Sequence, residues 1–296
     1  MIDLEEIETY KKAGRIAAEV KEEVKRILKP GIKILTVAEF IEKKIKEKGA
    51  SCAFPPNISI NEIAAHYTPR FNDDITIKPG DLVKIDIGVH IDGYIGDLAF
   101  TYCSEKNDLV KVSETVLSEV IKIIRPGVTV SEIGETIEET ARENGFGVIV
   151  NLTGHTIDRY VFHGEPSIPN VRNNINYAFN EGDIIAIEPF ITEGNGHVRE
   201  SGSPEIFRFF QRKPVRSKEA RQIITLVEEK YKSLPFAKRW LHEKFSPVKL
   251  SLALKQLEEV GAIESYPPLK EIENKKIAQA EHTIIVSEKP IVTTKI

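Results

Sequence analysis

The sequence predicts an α+β fold made of two related halves that face a shared crevice, with a helical insertion late in the chain. Three observations predict it: one pattern that recurs at a constant spacing, an apolar hairpin carrying two aspartates, and an outsized gap between two late apolar segments.

The recurrence organises the rest. LKPGIKILTVAEFIEKKIKEKG (28–49) and IRPGVTVSEIGETIEETARENG (124–145) align at a constant offset of 96 positions. Pro30 and Gly31 meet Pro126 and Gly127, Glu39, Ile41 and Glu42 meet Glu135, Ile137 and Glu138, and Gly49 meets Gly145. Each copy reads as a Pro-Gly turn, a short extended segment and an amphipathic helix stopped by glycine. PGDLVKID (79–86) resembles EGDIIAIE (181–188), and HYTP (66–69) resembles HGEP (163–166), in the same order in both halves. Solenoid repeats are shorter than this period. The pattern therefore implies two α+β halves related by a pseudo-twofold, and a site drawn from both would lie between them.

Taken in order, periodicity predicts helices over 3–28 and 36–48 and strands near 82–91 and 94–102. Helices follow at 108–124 and 131–144, then strands near 147–152, 160–164, 183–191 and 204–210. Residues 215–260 turn helical, and strands at 277–287 and 290–295 close the pattern.

The hairpin LVKIDIGVHIDGYIGDLAF (82–100) has Asp92-Gly93 between two apolar runs, a strong two-residue turn signal. That turn sets Ile91 opposite Tyr94, Gly88 opposite Asp97 and Asp86 opposite Ala99. Asp86 and Asp97 then share a face as diagonal neighbours, ~7–8 Å apart at the backbone. Two carboxylates converging over a glycine suit a divalent cation better than a structural sheet. Other candidates are weaker alone. Glu188 is the repeat counterpart of Asp86, Glu281 heads an apolar strand, and His155 follows a glycine at a strand end; each also reads as an ordinary polar residue.

Composition narrows the partners. Hydrophobic residues make up 41% and charged residues 29% of 296, with a net charge of −4. That balance argues against a nucleic-acid backbone or an anionic membrane as principal partner. The opening MIDLEEIETYKK is acidic with no apolar signal core, no stretch is long and apolar enough to span a bilayer, and Cys52 and Cys103 make no disulfide framework. A cytoplasmic protein with two reduced thiols, and a monomer, is the expectation.

FPPNISINEIAAHYTP (54–69), KIDIGVHIDGYIGDLAFT, NLTGHTIDRYVFHG, IAIEPF and AEHTIIV together resemble the methionine aminopeptidases of the type 2 class, the archaeal and eukaryotic kind. The resemblance covers nearly the whole chain in order and implies the pita-bread fold. It also implies a dinuclear centre of two divalent ions (Co, Mn, Fe or Zn) held by Asp86, Asp97, His155, Glu188 and Glu281. Asp97 and Glu281 would bridge both ions, Asp86 would complete one, and His155 and Glu188 the other. By the same resemblance, His66 and His163 donate to the scissile amide and the developing oxyanion, and Glu188 shuttles a proton. Phe54, Phe162 and Tyr266 would enclose the substrate's first side chain. The implied activity is metal-dependent removal of N-terminal methionine from nascent chains when the second residue is small, by attack of a metal-activated water. The implied partners are nascent polypeptide N-termini, with the ribosome as a further candidate. This class is also the target of fumagillin, an epoxide that alkylates the histidine matching His66.

From Glu188 to Glu281 the chain spends 93 positions, far beyond an ordinary connection. The implied division is a catalytic domain of 1–211 plus 271–296 with a helical, winged-helix-like insertion at 212–270. Two other functions compete: an X-Pro aminopeptidase or prolidase of the same fold, whose relatives carry an extra N-terminal domain, and a metal-free binding protein, whose relatives have lost ligand residues.

Overall fold

The structure is a computed structural model and describes residues 3–296. The first half runs α1 (Leu4–Ile27), α2 (Ile34–Glu47), three short strands β1 (Ser51–Cys52), β2 (Asn57–Ile60) and β3 (Ile63–Ala65), then the hairpin β4 (Val83–Ile91) and β5 (Tyr94–Tyr102). The second runs α3 (Asp108–Ile123), α4 (Val130–Glu143), β6 (Gly147–Val148), β7 (Thr153–Asp158), β8 (Val161–Pro169), β9 (Ile184–Ile187) and β10 (Phe190–Thr192). After β11 (Val198–Glu200) and β12 (Ile206–Phe209) come α5 (Lys218–Tyr231), β13 (Pro235–Ala237), a 3-10 turn, α6 (Pro247–Glu259), β14 (Ile263–Tyr266) and β15 (Leu269–Glu271). β16 (Ile277–Gln279), β17 (His282–Ile285) and β18 (Ile291–Val292) follow.

The helices form where one apolar stripe meets a good start signal. Asp3 caps α1 reciprocally with Glu6, and Thr129 caps α4 reciprocally with Glu132. α1 buries Tyr10, Ala13, Ala17, Val20 and Val24, one face at helical spacing. With α2 it covers Val83, Ile85, Ile87 and Val89 of β4. α3 and α4 cover Ile185, Ile187, Ile191 and Ile284 in the same way.

The duplicated turns repeat in detail. The Gly31 N–H donates to the Ile77 carbonyl (2.7 Å) and the Gly127 N–H to the Phe179 carbonyl (2.8 Å). Lys33 bridges Thr76, and Thr129, 96 positions later, bridges Ala178. The Asp81 carboxylate accepts from the Lys78 N–H and the Asp183 carboxylate from the Asn180 N–H, both at 2.8 Å. Gly31 and Gly127 have φ of 88° and 90°, a region that favours glycine, which is why a Pro-Gly pair stands in both copies.

A seam joins the halves along β5. The Asp97 N–H donates to the Thr283 hydroxyl, which donates back to the Asp97 carbonyl, both at 2.8 Å. The Glu281 N–H donates to the Ala99 carbonyl at 2.9 Å. The Gln279 N–H donates to the Thr101 hydroxyl, which donates back to the Gln279 carbonyl, again at 2.8 Å. Three contacts in antiparallel order thus fix the first half against the strands that follow the insertion.

Two expected strands are each interrupted. The run expected at 183–191 breaks at Glu188-Pro189 between β9 and β10, and that expected at 277–287 breaks at Ala280-Glu281 between β16 and β17. The breaks face each other, because Ile187 pairs with His282 and Phe190 with Gln279. Pro189 has no N–H to extend the ladder, so the interruption follows from its chemistry. Elsewhere the expected strand near 160–164 is the longer β8, and β7, not anticipated as a strand, lies beside it. Beyond Phe209, α5 and α6 pack on a small sheet ordered β13-β12-β14 with its own apolar core, including Ile223, Val227, Leu250 and Leu254. Its central strand lies upstream of residue 212.

Candidate metal centre and adjoining pocket

β4 and β5 pair with Ile91 opposite Tyr94, Gly88 opposite Asp97 and Asp86 opposite Ala99. Asp92 and Gly93 both have positive φ, 50° and 92°, as a type I′ turn requires. The register places Asp86 and Asp97 on one face. Glu188 and Glu281 come from the two facing strand breaks, where no ladder constrains the side chain. His155 sits on β7 opposite Ala186. One ligating atom each from Asp97, His155 and Glu281 lies within 4.8 Å of the others. The His155 Nε2 is 3.6 Å from the Glu188 carboxylate and 3.9 Å from that of Asp97. Its Nδ1 lies 3.1 Å from the Thr156 carbonyl. That carbonyl can only accept a hydrogen bond, so Nδ1 carries the hydrogen and Nε2 offers its lone pair to the cluster.

The electrostatics of the cluster call for a cation. Asp97 and Glu281 are 1% and 2% exposed, yet one oxygen of each, with one of Asp86, is buried and accepts no hydrogen bond. Burial first, and repulsion from the neighbouring carboxylates second, push Asp86, Glu188 and Glu281 well above the usual carboxylate range. Buried carboxylates without donors or counter-charge are strongly disfavoured. Divalent ions would supply what the orphaned oxygens lack, and four carboxylates with one imidazole is a donor set that suits them. Asp86, Asp97, His155, Glu188 and Glu281 therefore fit a metal centre.

Beside the cluster opens a cavity of about 310 Å³ whose lining includes Phe54, His66, Phe162, His163, Ile206 and Tyr266. The Phe54 and Phe162 rings lie 4.5 Å apart between centroids, and Tyr266 stands edge-on to His66 at 5.5 Å. His163 lies 4.7 Å from His155 and 6.2 Å from Tyr266. Gly88 is what lets Phe54 in: a Cβ there would meet the Phe54 ring at 2.1 Å. His66 follows β3 with φ 61°, a strained conformation for a non-glycine residue. Enclosure lowers its pKa to about 4 against a weaker opposing hydrogen bond to Pro267, so its imidazole is neutral at pH 7.

Every candidate site residue named from the sequence thus lines this cavity or its metal cluster. The sequence reading did not single out Ile206, Asn57 or Gln279. Ile206 is a plain strand residue, and Asn57 comes to the site because it pairs with Asp86 across the ladder. Gln279 donates from one nitrogen toward Glu188 (3.4 Å) and Glu281 (3.3 Å). Its position two residues before Glu281 was the available signal.

The metallopeptidase family M24 model matches residues 8–225. A methionine aminopeptidase of Thermococcus onnurineus is 49% identical over 288 residues, covering 96% of this chain and 98% of the relative. The structure of a methionine aminopeptidase from Thermotoga maritima superposes with TM-score 0.74 at 24% identity, covering 100% of this chain and 98% of that one. A thermophilic Arx1 superposes with TM-score 0.88 at 19% identity, covering 100% and 92%. The pita-bread arrangement of two facing halves, the full-length likeness to methionine aminopeptidases and the family match agree, and the chain belongs to metallopeptidase family M24.

Proposed function

We propose that this chain is a metal-dependent methionine aminopeptidase of the type 2 class, acting on nascent chains whose second residue is small. The observation that carries the reading is the carboxylate and imidazole cluster, with orphaned buried oxygens, opening into an aromatic cavity flanked by two further histidines. Full-length likeness to proteins of that name supports it over a proline-directed peptidase or a metal-free binder. The type 2 assignment rests on the insertion of residues 212–270, to which β12 lends its strand.

Asp86, Asp97, His155, Glu188 and Glu281 would hold two divalent ions. When bound, such ions supply Lewis acidity and a nucleophile drawn from water at neutral pH. The protein's own groups do the rest. Phe54, Phe162 and Tyr266 take up the methionine side chain, so the first peptide bond lies beside the cluster. His66, neutral at pH 7, and His163 hydrogen-bond the reacting amide and the oxygen that gains charge. Glu188, lining the cavity, is the group placed to carry a proton to the departing amine. In this reading a second side chain larger than valine is excluded sterically, which gives stronger selection than a methylene's ~1–3 kcal/mol.

The test is release of methionine from Met-Ala-Ser by metal-free protein resupplied with Mn, Fe, Co or Zn, beside cleavage of an X-Pro dipeptide. Methionine release with at least one metal, and at least 100-fold lower kcat/KM for Met-Trp-Ser, is the expected result. Preference for the X-Pro dipeptide would transfer the chain to the proline-directed branch, and no cleavage with any metal would leave it a binding protein.

A further inference from the structure

Gln279 is a neutral side-chain donor set among the carboxylates of the centre. It is 1% exposed and ends β16, immediately before the break that frees Glu281. Its single amide nitrogen lies 3.4 Å from a Glu188 oxygen and 3.3 Å from a Glu281 oxygen. An amide NH₂ has two hydrogens, so one nitrogen can serve both carboxylates at once. The two glutamates enter from facing strand breaks, and their charges repel. The backbone that carries this side chain has little freedom. The Thr101 hydroxyl holds the Gln279 N–H and carbonyl together at 2.8 Å each, and Gln279 is in register with Phe190 on β10.

We propose that Gln279 is a positioning residue: its amide holds Glu188 and Glu281 in the relative placement that receives the ions, and Thr101 holds Gln279. This rests on the metal-centre reading above. Asparagine could not do the same work, since one methylene less withdraws the nitrogen from both oxygens. Leucine or methionine fills the volume and removes the donor. Groups that orient metal ligands in this manner are typically worth 10–100-fold in affinity or activity.

The experiment titrates Mn²⁺ into metal-free protein by calorimetry for the parent chain, Gln279→Leu, Gln279→Met and Thr101→Val. Thermal unfolding of each metal-free protein and Met-Ala-Ser turnover accompany it. Both Gln279 variants are expected to bind Mn²⁺ about 10–100-fold more weakly. Their kcat at saturating metal should fall while KM stays within twofold, because the cavity walls are untouched. Thr101→Val should weaken binding at least threefold. A folded Gln279 variant whose Mn²⁺ affinity stays within twofold overturns the assignment, whatever its unfolding temperature does, since a packing role alone lowers stability without changing affinity. Should neither Gln279 variant fold, Thr101→Val decides: affinity unchanged within twofold overturns the proposal, and a threefold loss supports it. If the parent chain itself takes up no Mn²⁺, Co²⁺ or Zn²⁺, the metal-centre reading fails first; normal uptake by parent and variants alike sinks Gln279 alone.

Discussion

At the residue scale, Glu281 shows how a fold can hold a group that its own stability disfavours. One of its oxygens is buried without a donor, and burial with three neighbouring carboxylates raises its pKa. Glu281→Gln should therefore make the metal-free protein more stable, by a few degrees in Tm, while abolishing the rise in Tm that metal gives the parent and lowering turnover by orders of magnitude. A metal-free variant less stable than the parent, or a full metal response, would contradict the assignment. His66 carries a second expectation. It is neutral at pH 7, strained at φ 61°, and faces the cavity. An epoxide of the fumagillin type should add once, on the peptide containing Ala64-Ala65-His66, as read by intact mass and digestion. His155 should be spared because its Nε2 is turned to the Asp97 and Glu188 carboxylates. An adduct on His163 would contradict this. Legibility at this scale was uneven. The shared face of Asp86 and Asp97 follows from a two-residue turn and a period of two, whereas His155 and Glu281 carried only weak local signals and were assigned through resemblance. Gln279 offered only its position two residues before Glu281, because its hold on Thr101 spans 178 positions in sequence.

At the scale of elements, α1 to α4 were read to within a few residues, since each has a clear apolar stripe and a start or stop signal, whereas the stretch read as helical at 215–260 also holds β13 and the 3-10 turn between α5 and α6. Two of the strands flanking the site were read too long, because Glu188-Pro189 and Ala280-Glu281 interrupt runs whose hydrophobicity is continuous on both sides. Apolar pattern reports burial, and burial persists through a break that only backbone hydrogen bonding reveals. The β4–β5 hairpin offers a test of its own turn. His90 Nδ1 accepts the Gly93 N–H at 3.2 Å, and its ring packs on Tyr160 at 5.9 Å. Burial lowers its pKa to about 4. An unfolded histidine titrates near 6.5, so between about 6.5 and 4 the unfolded chain binds the proton that the folded chain refuses. His90's contribution is thus present above pH 6.5 and is lost as pH falls toward 4. His90→Gln should flatten the decline of stability over that window, measured by urea unfolding at pH 7.5, 6 and 5. Parallel declines in variant and parent would exclude His90 as a source.

At the scale of the whole molecule, the two-half architecture was the most legible feature, because a Pro-Gly turn and a Gly-Asp turn recurring in order leave few alternatives. The strand β12 was read, but the small sheet around it was not legible, since its partners β13 and β14 lie within the insertion read as helical. The seam along β5 has a further consequence for what happens when the polypeptide is cut. Ser104, Glu105 and Lys106 form an exposed link between β5 and α3, the kind of site proteases enter. A nick there leaves Asp86 and Asp97 on one fragment and His155, Glu188 and Glu281 on the other. The threonine clamps and the Ala99–Glu281 bond would still join the pieces, and divalent ions shared between them would act as a removable cross-link. The nicked protein should co-elute as one species with Mn²⁺ and separate more readily under mild urea with a chelator, so that two polypeptides behave as one enzyme only while the ions remain.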